Sequence, residues 1–248
     1  MRRTTTSVFA ATALLCAAAP SAFAQHAGDG YLFHAPDAQI TLRGGYAFAT
    51  AGSDLFQFAT SELTLKRGDF SSLTGGAEVM FPVSGRFALS VDASFSHAAA
   101  GSEFRHLIDN FNNPIQQTTT FDRAPIMFNA RYSLAPLGRS IGSLAFIPTK
   151  VVPYVGAGAG VMFYRFNQSG DFVDYQTTNV FAAEYKTDGW TPATQAFAGF
   201  DYSLTPTLAL TTDARYIWAR GHLSSDFDGF NKLDLSGVSA TVGLTFRL

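Results

Sequence analysis

Three glycines alternate with small apolar residues in the segment PYVGAGAGVMFY, and glycine at this density could cradle a phosphate group. They are Gly156, Gly158 and Gly160. A dinucleotide-binding loop needs the spacing G-x-G-x-x-G between a strand and a helix. The spacing here is G-x-G-x-G, and the residues that follow continue as a strand. Because glycine in a strand usually marks a close approach, we predict that the three glycines leave room on one face of this strand for long arginines from other strands.

A second group of reactive residues lies in the last polar segment, GHLSSDFDGFNKLD. If this segment turned near its middle, His222 could lie opposite Asp234 and complete a Ser-His-Asp set with Ser224. The His-x-Ser pattern resembles that of outer-membrane lipid A 3-O-deacylases, although the asparagine that follows the serine in that family is Ser225 here. The resemblance implies an esterase in which His222, Ser224 and Asp234 are catalytic. We keep it as an alternative to a non-enzymatic protein.

The same segment contains a weak calcium-loop pattern, Asp226-Phe-Asp228-Gly229. An EF-hand loop has its glycine at the sixth position and a glutamate at the twelfth, and neither condition is met here. We therefore expect no metal site and no cofactor site. The net charge of −2 also argues against nucleic acid as a partner.

The elements that would position these residues are strands. After the first 37 residues, apolar residues alternate with polar or small ones, which is typical of strands with one apolar face. Eight such segments lie near 39–49, 73–83, 87–97, 123–134, 153–164, 194–204, 207–220 and 233–248. Very short turns join the second to the third and the sixth to the seventh, whereas long polar loops lie near 50–72, 98–121, 168–190 and 221–232.

This pattern predicts an all-β fold, an eight-stranded antiparallel up-and-down transmembrane β-barrel, over residues 38–248. A soluble sandwich or lipocalin-like barrel also has alternating strands, but its solvent face would carry many lysines and glutamates. The polar face here is mostly Ser, Thr, Gly and Asn, and charged residues make up only 15% of the chain. Such a face suits a narrow wet lumen better than an open surface.

The N-terminus predicts export. A basic start, an apolar stretch and the ending Ala22-Phe23-Ala24 are typical of a secretory signal peptide over residues 1–24, cleaved between Ala24 and Gln25. Residues 25–37 would then form a short periplasmic segment. The single cysteine, Cys16, lies inside the signal, so the mature chain would contain no disulfide.

The polar faces of the strands carry balanced charge. If the apolar faces contact lipid, four acids and four bases point into the lumen. They are Arg43, Glu78, Asp92, Arg131, Asp201, Asp213, Arg215 and Arg247. An eight-stranded barrel is only wide enough for side chains to fill, and unpaired buried charges are costly. We therefore predict an interlocked lumen charge network, defined as these eight residues, and no open pore.

The chain ends in TVGLTFRL, which resembles the C-terminal signal read by the outer-membrane assembly machinery. Thr241, Gly243 and Phe246 match that pattern, and Leu248 stands where phenylalanine is usual. Together with the strands, this ending resembles the small outer-membrane β-barrel superfamily of OmpX, OmpW and the OmpA barrel. The resemblance implies a location in the bacterial outer membrane. Its expected partners are outer-membrane lipid, lipopolysaccharide and the assembly machinery, and we expect a monomer.

These observations favour a non-enzymatic barrel that acts in membrane integrity, adhesion or surface interaction through its long outer loops. Two alternatives stay open. One is OmpW-like transport of small hydrophobic molecules, for which Met162 and Phe197 would line an apolar upper lumen. The other is the lipid A deacylase described above.

Overall fold

The structure is a computed structural model that describes residues 30–109, 112–142, 145–174, 177 and 179–248. The predicted signal peptide with its cleavage site at Ala24 and Gln25, and the start of the predicted periplasmic segment, lie outside these residues. The described elements, in chain order, are β1 (Gln39–Ala49), α1 (Asp54–Glu62), a 3₁₀ turn (Arg67–Phe70), β2 (Ser72–Pro82), β3 (Phe87–Ile108), β4 (Pro114–Ser133), β5 (Gly138–Ile141), β6 (Ala145–Pro148), β7 (Val151–Val173), β8 (Val180–Ser203), β9 (Leu208–Gly221), a second 3₁₀ turn (Ser225–Phe227), β10 (Leu233–Asp234) and β11 (Gly237–Arg247).

Eight strands form a closed antiparallel ring in the order β1, β2, β3, β4, β7, β8, β9 and β11, and β11 pairs back onto β1. The short β10 adds to β9, and β5 pairs with β6 in a separate small hairpin. The predicted eight-stranded up-and-down barrel is confirmed. We call the end that holds the short connections the turn end. The opposite end, which holds α1 and the long hairpins, is the loop end.

The outside of the barrel is apolar and the inside is largely polar. Strand by strand, the residues predicted to face lipid are exposed, among them Leu42, Phe48, Leu73, Leu89, Phe95, Phe128, Val155, Phe200, Trp218 and Val242. The alternate residues, such as Thr41, Ser90, Asn129 and Gln195, are buried. A soluble barrel would have the opposite distribution. This one has the faces of a barrel that spans a lipid bilayer, with its eight strands paired around a closed ring.

Four neighbouring strands are much longer than the sequence pattern predicts. The strands β3, β4, β7 and β8 contain 22, 20, 23 and 24 residues, whereas about 9–11 residues suffice to cross a membrane. The segments expected to be polar loops at 98–121 and 168–190 are therefore mostly strand. Their outward-facing residues are polar, so the alternation of apolar and polar residues is lost there, and the strands are defined by backbone pairing within the two hairpins and between β4 and β7.

The segment expected to be a loop at 50–72 folds into the barrel mouth instead of outwards. The helix α1 begins after Ser53, with Asp54 in its first turn, where a negative charge stabilises the helix N-terminus. Its residues Leu55, Phe56 and Ala59 lie on one side and are buried. Among the described residues, no helix is both long enough and apolar enough to cross a membrane.

Candidate functional site

All eight residues of the lumen charge network lie buried inside the barrel. Five of them form a continuous chain of ion pairs. Arg43 contacts Glu78 at 3.3 Å and also pairs with Asp92, while Arg215 contacts Asp92 at 3.0 Å and Asp213 at 2.7 Å. Each of these two arginines therefore lies between two carboxylates. Two arginines and three carboxylates thus alternate across the middle of the lumen.

The other three network residues lie closer to the turn end. Arg131 pairs with Asp201, and its guanidinium carbon lies 3.5 Å from the ring centroid of Tyr154. Arg247 has no carboxylate partner among the described residues. It donates a 2.8 Å hydrogen bond to the hydroxyl of Ser203 and further hydrogen bonds to backbone carbonyls of the turn before β9. The buried charged side chains thus occupy the interior of this half of the barrel.

The three glycines of β7 face the interior, but the groups that take up their space differ from those predicted. A Cβ atom at Gly156 would overlap the ring of Phe197, and one at Gly158 would overlap the side-chain oxygen of Asn129. At Gly160 the neighbour is the backbone of β4. The glycines therefore accommodate a phenylalanine ring, an amide and a close backbone, and not arginines directly.

The loop-end half of the interior is apolar. We call this cluster the apolar plug: the buried face of α1 together with Leu63, Leu65, Phe70, Phe121, Met127, Met162, Phe166, Ala219, Phe227, Leu233 and Leu235. Phe56 is at its centre. Its ring centroid lies 4.6 Å from that of Phe70, 5.4 Å from that of Phe121 and 5.6 Å from that of Phe166. The upper lumen is thus apolar, as an OmpW-like transporter would require, but it is filled.

Polar contacts attach α1 to the last polar segment. Asn231 donates its backbone N–H to Asp54 at 2.9 Å and its side-chain amide at 2.8 Å. These bonds, with one from the backbone N–H of Leu55, lower the pKa of Asp54. On the same side, Asp234 accepts a 3.0 Å hydrogen bond from the backbone N–H of Gly52. The plug is therefore tied to the loop end by two carboxylates.

A row of charges crosses the outer surface of four strands and marks one edge of the apolar belt. His97 is opposite Asp122, Asp122 is opposite Arg165, and Arg165 is opposite Asp188. We call these four residues the charge row. Towards the turn end, the next outward residues are Phe95, Ala124, Phe163 and Trp190. The rings of Phe163 and Trp190 lie 5.5 Å apart, as in the aromatic girdles at membrane interfaces.

The structure does not assemble His222, Ser224 and Asp234 into a catalytic set. The Ser224 hydroxyl donates a 2.7 Å hydrogen bond to the carbonyl of Lys186, so it does not bond to an imidazole. Asp234 accepts from the backbone N–H groups of Gly52 and Ser236. His222 takes part through its carbonyl, which accepts a hydrogen bond of 2.5 Å from the hydroxyl of Tyr164. Among the described residues, no three His, Cys, Asp or Glu side chains cluster to hold a metal ion.

Two of these three residues share an open groove of about 830 Å³ on the outer wall at the loop end. We call it the rim groove. Its lining combines aromatic and basic side chains, namely Trp190, Trp218, Arg220, His222 and Lys232, together with Asp234. It lies where the ladder between β9 and β11 is interrupted, and there the hydroxyl of Ser236 bonds to the backbone of Ala219. Aromatic and basic groups at this height match the chemistry of a lipid headgroup region.

The predicted assembly signal lies on β11, the strand that closes the ring, except for Leu248, which directly follows it. The hydroxyl of Thr241 donates a 2.9 Å hydrogen bond to Asp213. A Cβ atom at Gly243 would lie 2.7 Å from the Cβ atom of Arg43, so glycine there leaves room for a network arginine. Phe246 is opposite Ile40 of β1, and Leu248 is partly exposed at the turn end.

The sequence analysis missed one buried charge, Arg123 on β4. It points inwards with the same parity as Met127, Asn129 and Arg131, and it is 6% exposed. The signal was available, because this residue begins the predicted fourth strand. It was overlooked because the strand was judged by its apolar face.

No protein-family model and no curated protein sequence matches the chain. Solved structures match it in fold. Neisserial surface protein A is 12% identical with a TM-score of 0.47, and the match covers 89% of this chain and 100% of the other. Ail, the attachment invasion locus protein of Yersinia pestis, is 10% identical with a TM-score of 0.43, covering 86% and 99%. Outer membrane protein W of Escherichia coli is 13% identical with a TM-score of 0.35, covering 88% and 100%. At these identities the likeness concerns the barrel fold alone.

Proposed function

We propose that this chain is a sealed, non-enzymatic outer-membrane protein that acts in membrane integrity, adhesion or surface interaction through the surface at its loop end. The observation that carries the proposal is the continuation of β3, β4, β7 and β8 beyond the charge row. We call these extensions the projecting wall. In β7, eight residues from Phe166 to Val173 follow the row, which corresponds to about 26 Å of extended strand.

The outer face of the projecting wall is polar and built from cross-strand pairs. Asn167 donates a 3.0 Å hydrogen bond to Glu184, and Gln116 donates one of 3.1 Å to Glu103. Its inner face is buried against the plug at Phe121 and Phe166. Long loops are normally the most mobile part of such a barrel, whereas a paired sheet presents a fixed surface. A fixed polar surface outside the membrane supports a role in contact with molecules or surfaces outside the cell.

The expected lipid partner is supported by the charge row and the rim groove. Both lie at the edge of the apolar belt, where phosphates and divalent ions of lipopolysaccharide would be. Arg220, His222 and Lys232 could contact anionic headgroups while Trp190 and Trp218 contact the acyl chains nearby. We propose that these contacts fix the height and tilt of a monomeric barrel in the outer leaflet.

Cell adhesion distinguishes this proposal from a passive membrane role. Reversing two carboxylates of the projecting wall, Glu103→Lys together with Glu184→Lys, should reduce the retention of expressing cells on a test surface by severalfold. Arg139→Glu in the β5–β6 hairpin is the matched control, because it reverses charge at the turn end, on the other side of the membrane. Equal retention by all three strains at equal surface amounts would count against adhesion and leave membrane integrity, which antibiotic and detergent sensitivity measures.

The absence of hydrolysis is a separate part of the proposal, and lipid A mass spectrometry tests it. Cells that express the wild-type chain should show the same acyl pattern as cells without it. A lost acyl chain that returns in the Ser224→Ala variant would overturn the proposal and favour the esterase. The hydrogen bond that engages Ser224 with Lys186 supports the non-enzymatic reading.

Transport of small hydrophobic molecules is the second candidate. It is favoured by the apolar plug lying directly behind the rim groove, where Ala219 belongs to both. An apolar molecule could pass from the mouth to the outer leaflet if α1 moved aside. Uptake of an apolar fluorescent probe should then be faster in cells that express the protein. Ala219→Phe should slow it again by placing a ring between the plug and the rim groove, whereas Ala214→Phe, which faces outwards on the same strand, is the control and should not. Equal uptake with and without the protein would remove this candidate.

A further inference from the structure

Arg123 is a buried cation without a partner that balances it. Its Nη1 atom lies 3.5 Å from the carbonyl oxygen of Leu235, at the limit of a hydrogen bond, and its guanidinium carbon lies 5.2 Å from the ring centroid of Phe121. Its Nη2 atom has no hydrogen-bond partner among the described residues. A guanidinium offers five donors, so most of its capacity is unused.

The count of buried charges gives the same result. Among the described residues, the buried charged side chains are five arginines and four carboxylates. The four carboxylates all belong to the lumen charge network, where they balance its four arginines in number, and none of them forms an ion pair with Arg123. Asp234 is the carboxylate that acts on Arg123 at longer range, but it forms no ion pair with it, and both of its oxygens accept backbone hydrogen bonds. One positive charge therefore remains in a low-dielectric interior, which is costly.

A small cavity lies beside this guanidinium. Its volume is about 30 Å³, enough for one or two water-sized species. Hydroxyl-bearing residues Thr74, Ser94, Ser96 and Ser239 line it together with Arg123. Ser96 is directly opposite Arg123 on the neighbouring strand. Space for the guanidinium is kept by Gly237, where a Cβ atom would lie 2.9 Å from the Nη1 atom of Arg123.

We propose that Arg123 and this cavity form a binding site for one small monovalent anion of the halide class. A halide accepts hydrogen bonds from the unused guanidinium N–H groups and from serine hydroxyls, and it supplies the missing negative charge. A tetrahedral oxyanion such as sulfate is too large for the cavity without displacement of its walls. The site lies between the charged half of the lumen and the apolar plug, and no network carboxylate forms an ion pair with Arg123 there.

Crystals of the wild-type protein grown or soaked in bromide test the site directly. The expected result is an anomalous difference peak within hydrogen-bonding distance of the Arg123 guanidinium. In solution, replacing gluconate with chloride at constant ionic strength should raise the thermal midpoint of the folded barrel. A shift of about 3–6 °C is expected at tenfold excess over the dissociation constant, with sulfate giving no such shift.

Arg123→Met keeps an unbranched apolar stem but removes the guanidinium and its charge, so the chloride-dependent shift should vanish. Arg165→Met is the matched control on the same strand pair, because Arg165 lies on the outer surface, and it should keep the shift. A chloride effect that persists in Arg123→Met, or a wild-type bromide map with no peak at Arg123, overturns the proposal and leaves water in the cavity. If Arg123→Met does not fold, the wild-type bromide map alone decides the question.

Discussion

The turn-end half and the loop-end half of the barrel interior are both filled, but by opposite kinds of side chain and in opposite ways. In the turn-end half, charged residues from six strands meet in ion pairs such as that of Arg215 with Asp213 at 2.7 Å. In the loop-end half, a helix from a connecting segment inserts Phe56 among aromatic rings. The charged side chains belong to the strands of the barrel wall, whereas the apolar side chains of α1 belong to the segment that connects β1 to β2.

This difference has an energetic consequence. Ion pairs are directional, and the network side chains are fixed by strand register, so the charged half cannot be disturbed without disturbing the ring. Apolar packing is not directional, and the plug helix can in principle leave while the strands stay paired. The charged half should therefore determine global stability, while the plug should be a separate unit that opens locally.

The largest effect is expected from a side chain added to the wall at the charged half. Gly158→Leu would place a branched side chain against Asn129 and the backbone of β4, so we expect little or no folded barrel. Heat-modifiable migration on a gel measures the folded fraction. Ala157→Leu is the matched control, because Ala157 faces lipid and tolerates a larger apolar group. Normal assembly of Gly158→Leu would show that the interior is less tightly filled than described.

The next effect is expected from loss of a network arginine. Arg215→Leu leaves Asp92 and Asp213 without a partner they share in the wild type, and breaking a buried pair costs about 3–5 kcal/mol. The free energy of unfolding, from denaturant titration in detergent or lipid, should fall by that amount. Arg165→Leu on the outer surface serves as the comparison and should cost about 1 kcal/mol or less. Similar costs for the two would mean that the network does not control stability.

A plug variant should separate local from global stability. Phe56→Ala removes the central ring of the plug, and such a change in a packed core costs about 3–5 kcal/mol. We expect this cost to appear as faster proteolysis of the segment containing α1, with an unchanged unfolding midpoint of the barrel. Conductance should stay at the background level, because the charged half still blocks the lumen. A lowered barrel midpoint would show that plug and ring form one cooperative unit.

The smallest effect concerns pH at the attachment of the plug. Hydrogen bonds from Asn231 and Leu55 lower the pKa of Asp54, so its stabilising contribution is present above the unfolded pKa of about 3.9. That contribution is lost as the pH falls through the lower folded value. Hydrogen exchange in α1 should accelerate in this acidic range in the wild type. In Asp54→Asn, hydrogen exchange in α1 should no longer accelerate in this pH range. The same pH dependence of exchange in the variant and the wild type would contradict the role given to the Asp54 carboxylate.

The sequence predicted the barrel and the inward side of each strand because alternation depends on neighbouring residues alone. Leu89, Val91 and Phe95 define an apolar face whatever the rest of the chain does, and Ser90 and Asp92 must then point inwards. The same rule located all eight network charges. It could not specify partners, because the pairing of Arg43 with Asp92 depends on the stagger of β1 against β3 across the lumen.

The loop end was less predictable because its structure depends on contacts between distant segments. Nothing local in the segment around Phe56 shows that its rings meet Phe121 and Phe166. The polar ends of β7 and β8 become strands only because they pair with each other. The proposed set of His222, Ser224 and Asp234 assumed a regular hairpin in which the three side chains point to the same side. The segment instead contains a 3₁₀ turn, and the Ser224 hydroxyl bonds to β8.

The sequence by itself determined the fold class, the apolar outside and the composition of the inside, since these follow from a two-residue period and from the chemistry of each face. Only the tertiary structure decided how the inside is divided. Ring closure brings together the charges of seven strands, and the folding of one connection into the mouth fills the remaining space with phenylalanine. Between the two lies Arg123, whose lack of a partner becomes visible only when the whole ring is closed around it.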